Sequence, residues 1–537
     1  MAGTVPVVRS LEAIYAADAL ASQTSRWNKL LAQFQETYGR AAEFVSRSPG
    51  RVNIIGEHID YSLYSVLPMA VEADALLAVS TDLAPARDGT FKIKIANVQA
   101  SRFPSREFDV PYDTVDIDPA VHEWTNYFKA GLRGALELLR EKHGAGFRPK
   151  SMQILMDGTV PAGGGLSSSA AFVSASALAV LVANGEEVDK TALAKLAIVS
   201  ERAVGVNSGG MDQSASVLSE RGSALFVSFS PRLAARPVRL PPTRPELTFL
   251  VAQSFVAADK VVTAPVHFNL RVVECSLAAA YLNAALNPPG TELPADASPL
   301  GVSLRGFHET YFALQERGGA ARKPAADQLA ELAALAAATL DRPEGYTRED
   351  VARALGVTAD ELHARFTQRI PVRAERFKLR QRALHVFLEA ARVLRFMALL
   401  EEGRAQQQQQ QQEQQGNGET TADASPQDTS EYNARLGALL NETQASCRDD
   451  YECSCPEIDA LCDLARAAGS YGSRLTGAGW GGCSVHLVPA DRVEAVKAAW
   501  EKGYYSKLDL TEEQKAAAVV VSRPGGGSAV YQVAERR

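Results

Sequence analysis

Cysteine is scarce in this chain, with six in 537 residues, and so are methionine (six) and tryptophan (four). So few cysteines exclude a disulfide framework and suit a reducing compartment. Positive charge is not in excess: 56 lysines and arginines face 63 aspartates and glutamates, for a net charge of −7. That balance argues against nucleic acid and against a membrane surface as partners. No uninterrupted apolar stretch reaches the length that crosses a bilayer. The opening MAGTVPVVRSLEAIYAADALASQTSRW lacks an apolar run between a basic start and a small-residue cleavage site. The expectation is a cytoplasmic protein without a targeting segment. A Walker loop, G-x-x-x-x-G-K-[ST], is absent, and so is any internal repeat.

What is present is an ordinary globular composition, 46% apolar and 22% charged. The chain is too long for one hydrophobic core, since single cores stop growing at roughly 250–300 residues. Two lobes follow, with the active cleft between them. The pattern divides into an N-terminal extension (1–24), a first lobe (25–240) and a second lobe (241–537). In the first lobe, ALLAVST (75–81), FKIKIANV (91–98) and SMQILMDGTVP (151–161) read as strands, and EWTNYFKAGLRGALELLREKHG (123–144) reads as a helix. Interleaved strands and helices argue for an α/β sheet backed by helices. In the second lobe, LTFLVAQSFV (248–257) reads as a strand and NLRVVECSLAAAYLNAAL (269–286) as a helix. Residues 373–402 contain no Gly or Pro and place Phe377, Leu384, Phe387, Val393, Leu394 and Met397 on one helical stripe. The glutamine-rich stretch QQQQQQQEQQGNGETTADASPQDTS, within 404–430, carries too little apolar surface to offset its ordering entropy. It reads as a disordered insertion between two helices.

Several stretches carry chemistry. Residues 48–74, SPGRVNIIGEHIDYSLYSVLPMAVEAD, gather Arg51, Glu57, His58 and Asp60 within ten positions ahead of a buried-looking strand. Arg51 reads either as a surface arginine or as a cation aimed at phosphoryl charge and a nearby carboxylate. VPAGGGLSSSAAFVSASALAVLVANG (160–185) sets three glycines between a strand and an alanine-rich helix. Exposed amides at such a helix start make an anion site, and a plain serine-capped helix is the alternative. In SERAVGVNSGGMDQSASVLSE (200–220), Asp212 reads either as a helix cap or as a catalytic carboxylate that glycines open to substrate. Glu201, on the preceding helix, reads as a solvated side chain or a Mg²⁺ ligand. Gly477, Gly479 and Gly482 satisfy G-x-G-x-x-G, but a strand follows instead of a helix. That excludes a dinucleotide fold and leaves a glycine turn packed against the first lobe's site. Cys447, Cys453, Cys455 and Cys462 crowd together, yet their spacing matches no usual zinc pair and favours reduced structural thiols over a metal site.

Taken in order, these stretches resemble the three signature motifs of the GHMP family of small-molecule kinases. Within it the chain is similar to the eukaryotic galactokinase branch, which includes relatives acting on N-acetylgalactosamine. GRVNIIGEHIDY is the most specific match, and the resemblance extends over roughly 25–535 apart from the insertion. It implies a two-lobed α/β fold, with an S5-like first lobe, a ferredoxin-like second lobe and the active cleft between them. It implies ATP and Mg²⁺ as cofactors and transfer of the γ-phosphoryl to the anomeric hydroxyl of galactose. Arg51 would be the transition-state cation and Asp212 the carboxylate at the anomeric hydroxyl. Glu57, His58 and Asp60 would be ligands of the sugar hydroxyls. Gly163, Gly165, Ser167 and Ser168 would cradle phosphates, Trp124 and Asn97 would hold adenine, and Ser169 and Glu201 would contact the metal. Phe268 stands where many members carry a sugar-contacting tyrosine, which bears on substrate choice and not on the reaction. Two other readings belong to the resemblance: an N-acetylgalactosamine kinase, and a silent sugar and ATP sensor with a transcriptional-regulator protein as partner. The complete GLSSSAA run favours catalysis over the sensor.

Overall fold

The run LPMAVEADALLAVST (67–81) is rich in Leu, Val and Ala, and FVSRSPGRVNII (44–55), though partly polar, is buried at every position, so both strands are covered on both faces. The computed structural model describes residues 3–82, 89–118, 121, 123–161, 163–205, 207–256, 263–416 and 428–533. Its main sheet has seven strands, ordered Val7–Val8, Ala529–Gln532, Phe44–Ile55, Leu67–Asp82, Ser151–Gly158, Thr90–Asn97 and Arg106–Pro111. Alternation along the central strands divides the cores. Leu76 and Ala78 pack with Trp27, Leu30 and Phe34 of the helix Leu20–Tyr38. Leu77 and Val79 face the other way, into the large core that takes in the helix Ser168–Ala183. That helix is apolar nearly all round and buried on almost every side, as its composition requires. The second sheet is antiparallel, ordered Gly472–Thr476, Cys483–Pro489, Leu247–Gln253 and Val519–Ser522. The helices Ser430–Asp449, Pro456–Ala467 and Val493–Gly503 pack against it, and Leu379–Gly416 lies between Ser430–Asp449 and Phe268–Leu286. No helix among the described residues is long and apolar enough to cross a membrane.

The lobe boundaries differ from the compositional ones in two places. Ala529–Gln532 returns to the first sheet, antiparallel to Phe44–Arg47 and parallel to Val7–Val8. The sheet therefore includes both the 1–24 extension and the C-terminal end assigned to the second lobe. Pairing across the whole length of a chain leaves no local signature, and two-residue and four-residue strands show no periodicity. The glutamine run is the second difference. It continues the long helix to Gly416, because glutamine is a good helix former and no proline or glycine intervenes after Gly403. Residues 417–427 of the expected insertion lie outside the described residues, and the helix Ser430–Asp449 follows. The strand expected over 248–257 stops at Gln253.

A buried charge cluster locks the returning strand in place. Asp74, fully buried, accepts hydrogen bonds from Tyr15 (2.6 Å), Arg26 (2.6 Å) and Arg47 (2.7 Å), and Arg47 donates on to the carbonyls of Gly526 (2.6 Å) and Gly527 (2.9 Å). Burial alone would push the Asp74 carboxyl up, but Arg26 and Arg47 hold it below the usual carboxylate range. Its folded value is thus lower than its unfolded one. The stabilisation is complete above about pH 4 and is lost as pH falls through the folded value. Asp74→Asn is expected to cost about 3–5 kcal/mol in urea denaturation at neutral pH, since it breaks a buried ion cluster from one side. A loss under about 1 kcal/mol would show that the cluster does not hold the sheet.

Candidate active site

The site begins with an irregularity in the strand Phe44–Ile55. Its register against Leu67–Asp82 shifts between Pro49 and Arg51, where proline cannot donate to the ladder. The shift leaves the Arg51 side chain, 3% exposed, directed to the short helix Met211–Leu218. Its Nε donates to Asp212 Oδ1 (2.7 Å) and its Nη1 to the Gly165 carbonyl (2.7 Å). The same helix is tied to the strand by Ser216, whose hydroxyl donates to the Pro49 carbonyl (2.6 Å). Asp212 is therefore no helix cap. It lies in the first turn, after Gly210, with its second carboxylate oxygen taking a hydrogen bond from the Ser167 hydroxyl.

Ser167 departs from the simple serine-cap alternative. It sits in the left-handed region (φ 61°), makes no side-chain cap bond, and spends its hydroxyl on Asp212. A non-glycine residue held there is uncommon and marks a conformation fixed by its surroundings. Ser168 and Ser169 follow in the first turn of the helix, half-exposed, and Gly163 is exposed in the loop ahead of them. The first amides of this helix lack intrahelical partners, so the loop's end presents donors. The third glycine cluster closes over this loop. A Cβ on Gly477 would lie 2.3 Å from the Gly165 carbonyl oxygen, so no other residue fits.

Arg51, Glu57, His58, Asp60, Asp212 and Phe268 line one cavity, together with Glu201, Ser208, Met211, Gly477 and Ala478. Glu57 is anchored there by the fully buried Arg474 guanidinium and by the Gly477 amide (2.9 Å), both on Oε2. Asp60 accepts the Met211 amide (3.2 Å). That approach demands glycine at 209, where a Cβ would fall 2.4 Å from the Asp60 carbonyl carbon. His58 differs from its expected part. Its Nε2 donates to the Ala478 carbonyl (3.0 Å) and its Nδ1 lies 3.0 Å from the Tyr61 hydroxyl, so both nitrogens are engaged within the protein. Its ring packs near Phe268 (5.4 Å between centroids) and Trp480 (5.8 Å), forming one wall.

Of the remaining expected residues, Glu201 shares this cavity, and Trp124, Asn97, Gly163, Gly165, Ser167, Ser168 and Ser169 do not line it. Trp124 stacks on Phe172 (5.9 Å, 13°), in the helix that the glycine loop opens, and its indole donates to the Pro104 carbonyl (3.0 Å). Asn97, buried at the end of its strand, accepts the Gln99 amide (2.9 Å). Glu201 lines the cavity with the Gln213 amide donating to it, while Ser169 does not line it. Among the described residues no three His, Cys, Asp or Glu side chains cluster to hold a metal. The four crowded cysteines are all unpaired to disulfides, and Cys447, Cys453 and Cys462 are buried. Ser208, Met211 and Ala478 escaped the sequence reading. The first two flank the glycine pair ahead of Asp212, a position that was itself the available signal.

The chain's likeness to known proteins follows these same residues. Residues 32–81 match the galactokinase galactose-binding signature, 126–220 the GHMP kinase N-terminal domain and 432–506 the GHMP kinase C-terminal domain. The galactokinase of Saccharomyces cerevisiae is 39% identical over 94% of this chain and 94% of its own. The chain belongs to the galactokinase family. The galactokinase of Candida parapsilosis is likewise 39% identical, over 95% of both chains. In fold, the Lactococcus lactis galactokinase complexed with galactose superposes with a TM-score of 0.60 at 21% identity, covering 95% of this chain and 100% of that one. The two-lobed α/β GHMP kinase fold is thus the fold of this galactokinase-family chain.

Two carboxylates of opposite character share the cavity. Asp212 is paired to Arg51, whereas burial, and then the charge of Asp212, push the Asp60 carboxyl up to about 6. A raised carboxyl means that ionised Asp60 opposes folding. The penalty is complete above about pH 6 and vanishes as pH falls to the unfolded value near 4. Asp60→Asn, whose carbonyl can still accept the Met211 amide, is expected to raise stability by roughly 1–3 kcal/mol at neutral pH and by progressively less toward pH 4. Urea midpoints across that range would read it, and a destabilised variant at neutral pH would contradict it.

Proposed function

We propose that this protein transfers the γ-phosphoryl group of ATP to the anomeric (C1) hydroxyl of galactose, yielding galactose 1-phosphate and ADP. The observation that carries the reading is Asp212, held by Arg51 and Ser167 where the polar cavity meets the glycine loop. A cavity lined by the Glu57, Asp60 and Asp212 carboxylates and by the Phe268 and His58 rings suits a sugar, polar at its hydroxyls and apolar on its ring face. A site built to pair hydroxyls rejects analogues that leave its buried groups unpaired. The galactokinases to which the chain is similar support galactose as that sugar.

Phosphoryl transfer of this kind passes through a loose, in-line transition state, so the protein positions the reactants and neutralises charge. Asp212 accepts the proton of the sugar O1 as O1 bonds to the γ-phosphorus. The bond from that phosphorus to the leaving oxygen breaks, and its electron pair departs with ADP. Arg51 fixes the Asp212 carboxylate and meets the charge gathering on the transferred oxygens. Glu57 and Asp60 hold sugar hydroxyls. His58, its nitrogens already engaged, shapes the wall beside Phe268. Gly163, Gly165 and the amides of Ser168 and Ser169 cradle phosphate oxygens at the helix start, where the dipole favours anions. The Ser167 hydroxyl serves Asp212 instead. Trp124 and Asn97 flank the adenine.

The Ser169 hydroxyl and the Glu201 carboxylate are hard oxygen donors, the set that Mg²⁺ accepts when phosphates and water complete its shell. Held by these two side chains, Mg²⁺ would neutralise phosphate charge. Besides ATP, this reading requires the small-molecule sugar as partner.

Phosphate transfer is tested by ADP release in the presence of ATP and Mg²⁺, with galactose, N-acetylgalactosamine and glucose compared. Galactose is expected to give the highest kcat/KM, and Asp212→Asn to lower kcat by about a hundredfold or more. Preference for N-acetylgalactosamine would replace the substrate and keep the mechanism. Sugar and ATP binding without turnover would replace the kinase with a sensor.

A further inference from the structure

The cavity's most specific segment, Gly56-Glu57-His58, belongs to the first lobe by sequence but is held by the second. It leaves the strand Phe44–Ile55 in a tight turn, with His58 at φ 59°, so its backbone groups have no ladder to join. Buried amides in that position must find acceptors. Both find the same one: Glu389 Oε1, 2.8 Å from the Gly56 nitrogen and 3.1 Å from the Glu57 nitrogen.

Glu389 lies in the first third of the helix Leu379–Gly416, fully buried. Burial would push its carboxyl up, but Arg392, His385 and Arg474 bring it down to about 2, so it is ionised when it accepts those amides. Its second oxygen takes Arg392 Nε (2.7 Å) and the Thr443 hydroxyl (2.8 Å). One turn earlier, His385 Nε2 donates to the Glu57 carbonyl (3.0 Å). Arg474, which grips the Glu57 carboxylate, also donates to the carbonyls of Asn53 (2.7 Å) and Ile54 (3.0 Å). Every backbone group of the turn that these contacts reach is thus met by a side chain of the opposite lobe.

We propose that Glu389 is a positioning residue for the sugar, acting through the paired amides of Gly56 and Glu57. It does not line the cavity itself. A charged acceptor makes stronger bonds than a neutral one, and two amides on one oxygen fix the orientation of the peptide between them. Loss of that oxygen leaves both amides buried without an acceptor and frees the turn that carries Glu57, His58 and Asp60. Among the described residues, the hydrogen bonds of Glu389 go to the Gly56 and Glu57 amides, Arg392 and Thr443 and to none of the glycine loop or the helix Ser168–Ala183, so the effect is expected at the sugar.

The inference rests on the galactose reading, and the unaltered chain assayed in parallel separates the two. Absence of galactose turnover there overturns the substrate; normal turnover there leaves Glu389 to be judged by its variants. Glu389→Ala is expected to raise the galactose KM about tenfold or more, with the ATP KM within about twofold. Glu389→Gln retains one carbonyl acceptor for the two amides and is expected to shift the galactose KM by a smaller factor, about threefold. Thr443→Val removes a bond to the far oxygen only and is expected to lower the thermal midpoint without moving either KM. A purely structural role changes the amount of folded enzyme and not its KM. Unaltered galactose KM in Glu389→Ala and Glu389→Gln therefore overturns the proposal, whatever their melting behaviour. If Glu389→Ala does not fold, the Gln variant decides alone: a raised galactose KM supports the proposal and an unchanged one defeats it.

Discussion

Arg51 and Asp212 form the ion pair on which the rest of this site depends. Taking two charges out of water costs several kcal/mol each, and the attraction between them repays that only when both are also hydrogen-bonded. Here they are: Arg51 has the Gly165 carbonyl, and Asp212 has the Ser167 hydroxyl. Each added bond constrains a different element. The strand bulge at Pro49, the glycine loop and the first turn of Met211–Leu218 all have to arrive within hydrogen-bond range of one point. Ser167 accepts a strained backbone as part of that convergence.

Around this centre the two lobes share one apolar core, and directional polar bonds cross between them as well. Glu57 with Arg474, Glu389 with the Gly56 and Glu57 amides, and His385 with the Glu57 carbonyl all cross from one lobe to the other. Such bonds are directional, and apolar packing is not. A site that must hold a hydroxyl in line with a phosphorus gains more from fixed direction than from added burial. The glycine turn at 477 completes the junction by backbone contact with the loop at 165, a closeness that side chains would forbid.

Much of this was legible in the sequence where the determinants are local. The strands at 75–81, 91–98 and 151–158 alternate or run apolar over enough residues to declare themselves, and the helices at 125–143 and 268–286 do so by spacing. Six residues expected at the sugar, Arg51, Glu57, His58, Asp60, Asp212 and Phe268, do line one cavity. What was not legible depends on contacts between distant segments. The pairing of His58's nitrogens with Ala478 and Tyr61 needs the second lobe's turn in place. Arg382, His385, Glu389 and Arg392 recur at helical spacing within a buried stripe, a pattern that marks a polar face inside a core. The sequence reading followed only the apolar half of that helix. The glutamine run misled because low complexity was equated with disorder, although its helix propensity is high.

The strand Ala529–Gln532 sits inside the first sheet, between Val7–Val8 and Phe44–Ile55. On the ribosome the first lobe is made early, yet its sheet stays open until the strand Ala529–Gln532 has emerged. The strand bearing Arg51 therefore acquires its outer neighbour only after the second lobe has been translated, and the nascent chain carries an exposed strand edge until then. The two lobes are consecutive in function but not separable by a single cut: any fragment ending before residue 529 lacks a piece of the sheet on which the reaction's arginine is mounted.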